Sequence, residues 1–219
     1  MPPKLAILYL VWFACSLTEA TAVELPVIRS GPGNQVPSCV TPVELMAFVN
    51  DRFKPPRTID ARFADLAKVY QRTGACVQKV QQTCEGIRWD FAFFQMLVET
   101  NFLTFEKPDG SPGGVAAEDN NFAGIGATVP GKPGEKFKNI DMGVLAHLQH
   151  VLMYSGEEIL DPVAQRTRAV QSYIIAKVKK LGRPATFADL ATEWTGTDQI
   201  TYGRSIQRTA ERFALSHCR

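Results

Sequence analysis

The segment from Arg88 to Phe102 constrains the fold most, because it has the spacing of a helix that is apolar on nearly every side. Its large apolar side chains are Phe91, Phe93, Phe94, Met96, Leu97, Val98 and Phe102. A helix that is hydrophobic all round is normally buried inside a protein. The sequence therefore predicts a buried helix over residues 88–102.

Two polar residues interrupt this apolar surface. Gln95 and Glu99 are four positions apart, which places both side chains on one face of the helix. Burial of a carboxylate is costly unless it is paired or protonated, and desolvation favours its neutral form. A neutral carboxylic acid that faces a cleft can protonate a glycosidic oxygen. The pattern alone leaves a second interpretation open, in which Glu99 lies exposed at the helix end or pairs with an arginine or lysine.

Helical patterns dominate the rest of the chain. Capping boxes at Thr41–Glu44 and Thr186–Asp189 predict two helix starts. Residues 107–134 are rich in glycine and proline and are expected to form irregular loops. Further helices are predicted near residues 59–71, 75–85, 142–155, 162–181 and 202–216. The predicted fold class is mainly α, with one loop-rich region in the middle.

The N-terminus has the order of a secretory signal peptide. Lys4 precedes an apolar run over residues 5–14, which is shorter than the ~20 residues that span a bilayer. Ala20-Thr-Ala22 then fits a cleavage site. The alternatives are a buried N-terminal helix and a lipoprotein anchored at Cys15. We expect residues 1–22 to be a signal peptide, 23–40 a flexible arm, 41–219 one domain, and the protein to be periplasmic or secreted.

Four cysteines remain after removal of the signal, and an even number in an exported chain suggests disulfides. Cys76 and Cys84 are close in sequence, whereas Cys39 and Cys218 lie near the two ends of the mature chain, and termini often meet in space. We therefore favour the pairs 76–84 and 39–218 among the three possible connectivities. A zinc site is the rival interpretation, but Cys-x-x-Cys spacing is absent.

Little in the sequence indicates a cofactor, a metal or a nucleic acid. The net charge of +2 gives no strong basic footprint. Residues 126–132 nearly match a phosphate-binding loop, but Pro133 occupies the position of the required serine or threonine. His147 and His150 are three positions apart, with no evident third metal ligand. We expect a monomer with no cofactor, no metal, and no membrane-spanning segment in the mature chain.

Four segments in order carry a family resemblance: residues 95–105, which contain Glu99-Thr-Asn-Phe102, residues 120–127, residues 143–150, and Trp194 with residues 202–206. Together they resemble the bacterial endo-β-N-acetylglucosaminidase domain (mannosyl-glycoprotein endo-β-N-acetylglucosaminidase-like, glycoside hydrolase family 73). The match runs from about residue 86 to 206. The resemblance implies a lysozyme-like fold with an α-lobe, a smaller mobile lobe, and a groove between them.

The resemblance also implies roles for individual residues. Glu99 would be the catalytic acid, and Tyr202 would support the substrate or an attacking water. Trp194 would stack on a sugar or pack in the core. The predicted substrate-binding residues are Gln95, Thr100, Asn120, Asn121, Phe122 and Trp194.

The second catalytic carboxylate is where this chain departs from the family, because the stretch that often carries it is short here. Glu135 is the nearest candidate, and Glu118 and Asp119 are weaker ones. The 2-acetamido group of an N-acetylated sugar can also assist the reaction, so that one glutamate suffices.

The sequence therefore predicts a hydrolase that cuts β-1,4 bonds after N-acetylglucosamine in the glycan strands of peptidoglycan. One alternative is a muramidase or lytic transglycosylase on the same scaffold. A second is a non-catalytic wall-binding accessory of an envelope or secretion machine.

Overall fold

The computed structural model describes residues 24–53, 59–107, 109–127, 133–194 and 199–218. Within these ranges the chain forms seven α-helices, two 3-10 helices, and one two-stranded antiparallel sheet. The helices are α1 Pro42–Asp51, α2 Leu66–Gly74, α3 Trp89–Glu99, α4 Ile140–Met153, α5 Gln165–Lys179, α6 Phe187–Trp194 and α7 Gln199–His217. The 3-10 helices are Ala61–Phe63 and Ala117–Asp119, and the strands are β1 Gln78–Val80 and β2 Thr83–Glu85. The mainly α prediction is confirmed.

Helix α3 lies at the centre of the core, as its composition predicted. Every residue from Trp89 to Leu97 is buried. It packs against α2, α4 and α7, and Phe93 meets Tyr70 of α2 edge to face, with 5.4 Å between ring centroids. On another side, Phe94 packs against Phe213 of α7 at 5.5 Å. The apolar side chains on every side of α3 are buried because other helices cover it from several directions.

Side-chain caps define the helix starts that the sequence indicated. Thr41 Oγ1 accepts a hydrogen bond from the backbone N–H of Glu44 at the start of α1. At α6, the Asp189 carboxylate accepts from the backbone N–H of Thr186, and Thr186 Oγ1 accepts from the N–H of Asp189. Both caps satisfy N–H groups that a helix leaves unpaired at its first turn.

Residues 75–85 were predicted to be helical, and this prediction is wrong. They form the hairpin β1–β2, with Lys79 opposite Cys84. A helix rises about 1.5 Å per residue, so positions 76 and 84 on one helix would lie about 12 Å apart. The Cys76–Cys84 disulfide holds their Cα atoms 4.9 Å apart, which excludes a continuous helix between them.

Residues 24–40 differ from the expected flexible arm, because they lie against the body of the protein. Ile28 is fully buried in the core. Its backbone N–H donates to the carbonyl of Ala185 at 2.9 Å, and its carbonyl accepts from the N–H of Arg88 at 2.8 Å. The segment therefore joins the start of α3 to the start of α6. The glycines and prolines of this segment suggested mobility. The buried side chain of Ile28 and its two backbone hydrogen bonds hold the segment in place.

Both disulfides pair as predicted. Cys39 bonds to Cys218 with a Cα–Cα distance of 5.0 Å, which ties α1 to the end of α7. Cys76 bonds to Cys84 across the hairpin.

The predicted loop region, residues 107–134, is irregular where it is described, apart from the 3-10 helix Ala117–Asp119. The proposed signal peptide and Cys15 lie outside the described residues. Among the helices that the structure describes, none combines the length and apolar character needed to cross a bilayer.

Candidate active site

A cavity of about 630 Å³ opens where the end of α3 meets the loop region, the first turn of α5, and the end of α6. This volume lies within the range of small-molecule sites. The lining residues are Glu99, Gly114, Val115, Ala123, Gly124, Ile125, Gly126, Ala127, Arg166, Glu193 and Trp194. Two of the residues predicted from the sequence, Glu99 and Trp194, therefore lie in one cavity.

Glu99 reaches the cavity because α3 ends there. It is the last residue of the helix, and the side chain of Thr100 accepts a hydrogen bond from the N–H of Leu103 at 3.0 Å. The backbone then turns sharply, with positive φ at Asn101, Phe102 and Leu103. Such backbone is strained in residues other than glycine, and strained segments are frequent at functional sites.

The surroundings of Glu99 favour its protonated form. The side chain is partly buried, and no lysine or arginine of the described chain forms an ion pair with it. Burial raises the pKa of Glu99 from 4.5 to about 7, while hydrogen bonds from Tyr202 and Trp194 act in the opposite direction. The alternative interpretation, an exposed or ion-paired glutamate, does not describe this residue.

A line of hydrogen bonds leads from Glu99 into the core. Tyr202 of α7 donates its hydroxyl hydrogen to Glu99 Oε1 at 2.5 Å, and Gln95 Nε2 donates to the Tyr202 hydroxyl at 2.9 Å. Gln95 Oε1 lies 3.3 Å from His147 Nε2, and His147 Nδ1 lies 2.8 Å from the Tyr70 hydroxyl. Burial, with the nearby Glu99 carboxylate, raises the pKa of Tyr202, so its hydroxyl remains a hydrogen-bond donor.

Trp194 has a place in both the cavity wall and the core. It lines the cavity, and its ring also packs against His150 at 5.2 Å and Tyr154 at 5.7 Å between centroids. The two roles that the sequence left open, stacking on a substrate and packing in the core, are compatible in this position.

Glu135 does not line the cavity. Its carboxylate oxygens accept hydrogen bonds from the backbone N–H groups of Gln165 and Arg166, at 2.8 and 2.7 Å. Both donors belong to the first turn of α5, where unpaired N–H groups attract an anion. The structure therefore places Glu135 as a helix cap, which engages both oxygens that a second catalytic carboxylate would use. Asp119 also has structural partners. Its Oδ2 accepts a hydrogen bond from the backbone N–H of Ala116, and its Oδ1 lies 2.9 Å from Lys136 Nζ.

Several predicted substrate-binding residues lie behind the cavity wall. Asn121 is fully buried, and its side chain bonds to the backbone of Ile125 and Glu135. Phe122 is also fully buried and packs against Phe63. Asn120 adopts positive φ and bonds to the carbonyl of Phe137.

These buried side chains shape the loop that forms one cavity wall. The residues of that loop that line the cavity are the next ones, Ala123 to Ala127. Gly124 adopts a φ of +62°, and a Cβ built on it would lie 3.4 Å from Glu99 Oε2. Small residues at this point keep the carboxyl group accessible from the cavity.

Two charged lining residues were not identified from the sequence. Arg166 stands in the first turn of α5, and Glu193 immediately precedes Trp194. Lys177 Nζ lies 2.5 Å from the Glu193 carboxylate. The one sequence signal for Glu193 was its position next to Trp194. Charged residues on helix surfaces are too common for this position to identify Glu193 as a site residue.

The two histidines of α4 are buried among protein partners. His150 Nδ1 lies 2.7 Å from Thr167 Oγ1, and burial lowers the pKa of both His147 and His150 to about 3. Both imidazoles are therefore neutral near pH 7. In the described part of the chain, no three histidine, cysteine or carboxylate side chains are grouped to hold a metal ion.

Comparison with known proteins gives one similarity. The chain matches no family model and no solved structure. It is similar to an uncharacterized protein of Borreliella burgdorferi, with 33% identity over 135 residues. The aligned region covers 59% of this chain and 57% of that protein, so the chain spans a little over half the length of its relative.

Proposed function

We propose that the protein is a peptidoglycan hydrolase that cleaves β-1,4 bonds of the glycan strand, with Glu99 as the general acid. The observation that carries this proposal is the position of Glu99, a carboxyl group with a pKa of about 7 in the wall of a 630 Å³ cavity. A group with this pKa is protonated in a large fraction of molecules near neutral pH, as a general acid requires.

The bond to be cut would lie with its glycosidic oxygen beside the Glu99 carboxyl group. The proton moves to that oxygen as the bond to the anomeric carbon breaks, and the leaving sugar takes the bonding electron pair. The glucosaminidase resemblance adds the acetamido route, in which the acetamido oxygen of the substrate bonds to the anomeric carbon as the leaving sugar departs. A water molecule then attacks that carbon and displaces the acetamido oxygen, and its proton passes to the Glu99 carboxylate, which restores the acid. Trp194 offers an aromatic face to a sugar ring in the same cavity.

The helical core and the loop wall fit a lysozyme-like arrangement with a groove between two lobes. We propose that arrangement here, with residues 114–127 and 133–137 in the smaller lobe. A location outside the cytoplasm, periplasmic or secreted, is supported by the two disulfides. The proposed partner is the peptidoglycan strand, and the proposed state is a monomer.

Glu193 is a better candidate than Glu135 for a second carboxylate. It lines the cavity that contains Glu99, whereas Glu135 caps α5. Its side chain forms an ion pair with the ammonium group of Lys177, whose Nζ lies 2.5 Å from Glu193 Oε2. A pair of carboxyl groups that flank the scissile bond is the arrangement that acid–base cleavage of a glycosidic bond uses.

Digestion of purified peptidoglycan with wild-type protein and with Glu99→Gln tests the proposal. The wild type should release fragments with reducing N-acetylglucosamine ends, identified by mass spectrometry. Glu99→Gln should release none, while it keeps the wild-type circular dichroism spectrum and binds to sedimented wall. Equal digestion by both proteins would remove Glu99 from the mechanism.

The same products separate the alternatives. Reducing N-acetylmuramic acid ends would indicate a muramidase, and anhydro-muramic ends would indicate a lytic transglycosylase. Binding to wall without release of fragments by the wild type would favour the non-catalytic accessory.

A further inference from the structure

The hydrogen-bond line behind Glu99 joins four helices of the core. Tyr70 belongs to α2, Gln95 and Glu99 to α3, His147 to α4, and Tyr202 to α7. The side chains of Tyr70, Gln95 and His147 have no exposed surface. Such buried groups form hydrogen bonds with one another, so the direction of each bond restricts the next.

The amide of Gln95 shows which group donates and which accepts in each hydrogen bond of the line. Its Nε2 faces the Tyr202 hydroxyl, and an amide nitrogen only donates. The Tyr202 oxygen therefore accepts from Gln95, and its single hydrogen is directed to Glu99 Oε1. On its other side, Gln95 Oε1 faces His147 Nε2 and can only accept, so His147 carries its hydrogen on Nε2.

The last bond agrees with this direction. A neutral imidazole with its hydrogen on Nε2 has a bare Nδ1 that accepts a hydrogen bond. The Tyr70 hydroxyl lies 2.8 Å from Nδ1 and supplies a donor. Each hydrogen along the line thus has an acceptor, from Tyr70 at one end to Glu99 Oε1 at the other.

If every hydrogen bond of the line ran in the opposite direction, one buried donor would have no acceptor. If the Gln95 amide were turned over, His147 Nδ1 would donate to the Tyr70 oxygen, and the Tyr70 hydroxyl hydrogen would need another acceptor. Within the described residues, the hydrogen bond of Tyr70 is the one to His147. An unsatisfied donor in a fully buried position is costly, so the first direction is favoured.

This direction decides which oxygen of Glu99 holds the proton. Because Tyr202 donates to Oε1, the proton of the neutral acid belongs on Oε2. Oε2 is the oxygen beside Gly124 in the cavity wall. With the opposite direction, Glu99 would donate its proton to Tyr202, away from a bound substrate.

We propose that His147 is a positioning residue: held by Tyr70 with its hydrogen on Nε2, it orients Gln95 and Tyr202 so that the proton of Glu99 stands on the cavity-facing oxygen. Its importance for catalysis rests on the proposed function. The direction of the hydrogen-bond line does not, because it follows from the core contacts alone.

Nuclear magnetic resonance of protein labelled with ¹⁵N-histidine tests the direction without any substrate. The chain has three histidines, and a His147→Gln variant assigns the signals of that ring. In the wild type at neutral pH, His147 should show the pattern of a neutral ring with hydrogen on Nε2. A ring with hydrogen on Nδ1, or a doubly protonated ring, would overturn the proposal.

Tyr70→Phe tests the consequence with a matched control. It removes the hydroxyl that faces His147 Nδ1, whereas Thr167→Val removes the hydroxyl that faces His150 Nδ1. Tyr70→Phe should change the ¹⁵N signals of His147 and lower kcat about tenfold with KM nearly unchanged, the loss expected for one hydrogen bond. Thr167→Val should change the signals of His150 and leave kcat as in the wild type.

The two measurements separate failure of this inference from failure of the proposed function. If the wild type cleaves peptidoglycan and Tyr70→Phe has wild-type kcat while its melting temperature is unchanged, the positioning role is wrong. If the wild type cleaves no glycan, the proposed function fails, and the signals of His147 alone then decide the direction of the line.

Discussion

Two effects act in opposite directions on the pKa of Glu99. Burial raises its pKa to about 7, and the hydrogen bonds from Tyr202 and Trp194 limit that rise. The protonated form is the one that donates to the glycosidic oxygen, so activity should decline as this form is lost. Above pH 7, kcat should fall about tenfold for each pH unit.

The measurement is the initial rate of wall digestion at saturating substrate between pH 3.5 and 9. Tyr202→Phe removes a hydrogen bond that lowers the pKa of Glu99, so the decline should move to higher pH in that variant. A wild-type decline centred near pH 4.5 would show that Glu99 titrates as an ordinary exposed glutamate.

The same pKa shift should appear in stability, with a sign that follows from proton binding. Between pH 4.5 and about 7 the folded state holds the Glu99 proton and the unfolded state has lost it. Raising the pH through this window therefore destabilises the fold, by about 1.4 kcal/mol per pH unit from this group. The stabilisation is complete below pH 4.5 and lost above pH 7.

Urea unfolding of the wild type and of Glu99→Gln at several pH values isolates this contribution. The free energy of unfolding of the wild type, relative to Glu99→Gln, should decrease from pH 4.5 to 7 and then remain constant. A difference that is constant over the whole range would mean that the fold does not shift the pKa of Glu99.

At the scale of elements, Glu135 and Glu193 bracket α5 and have different tasks. Glu135 caps the first turn of α5 through two backbone N–H groups. Loss of a helix cap costs about 1 kcal/mol. Glu135→Ala removes both accepting oxygens, so it should lower the free energy of unfolding by about that amount in urea titrations and leave most of kcat intact.

Glu193→Gln is the counterpart, because it removes a carboxylate from the cavity wall. Its kcat on peptidoglycan should fall by about 100-fold, the scale of a general base. If Glu193→Gln retains full activity while Glu99→Gln has none, one glutamate suffices and the acetamido route accounts for cleavage.

Local sequence signals predicted some elements well and others badly. The apolar surface of α3 and the capping residues Thr41 and Thr186 each act within a few positions of the chain, and the structure has them as predicted. The hairpin at residues 75–85 escaped prediction because its disulfide, rather than its short apolar pattern, excludes a helix. The short Cα–Cα distance that a disulfide requires excludes a helix between positions 76 and 84, so the predicted Cys76–Cys84 bond was enough to reject the helix without a structure.

At the scale of the whole molecule, the sequence could identify Glu99 but not its surroundings. The cavity combines the end of α3 with residues 114–115, residues 123–127, Arg166 and Glu193, which are far apart in the chain. Asn121 and Phe122 belong to a motif that was expected to contact substrate, yet they pack inward and present the following residues to the cavity. A motif specifies the loop, whereas tertiary packing decides which of its side chains face the cavity.

The two disulfides act on very different lengths of chain, which gives a prediction for the whole fold. Cys39 and Cys218 are separated by 179 positions, and Cys76 and Cys84 by 8. The entropy that a cross-link removes from the unfolded chain grows with the logarithm of the loop, which gives about 5 kcal/mol for the long loop and about 3 kcal/mol for the short one.

Replacing Cys39 and Cys218 together by serine should therefore lower the free energy of unfolding more than replacing Cys76 and Cys84. Guanidinium unfolding of both double variants, beside the wild type, measures the difference. The long cross-link also fixes α1 against the end of α7, the helix that carries Tyr202. A larger loss in the hairpin variant would mean that the hairpin makes native contacts that outweigh the entropy of the unfolded chain.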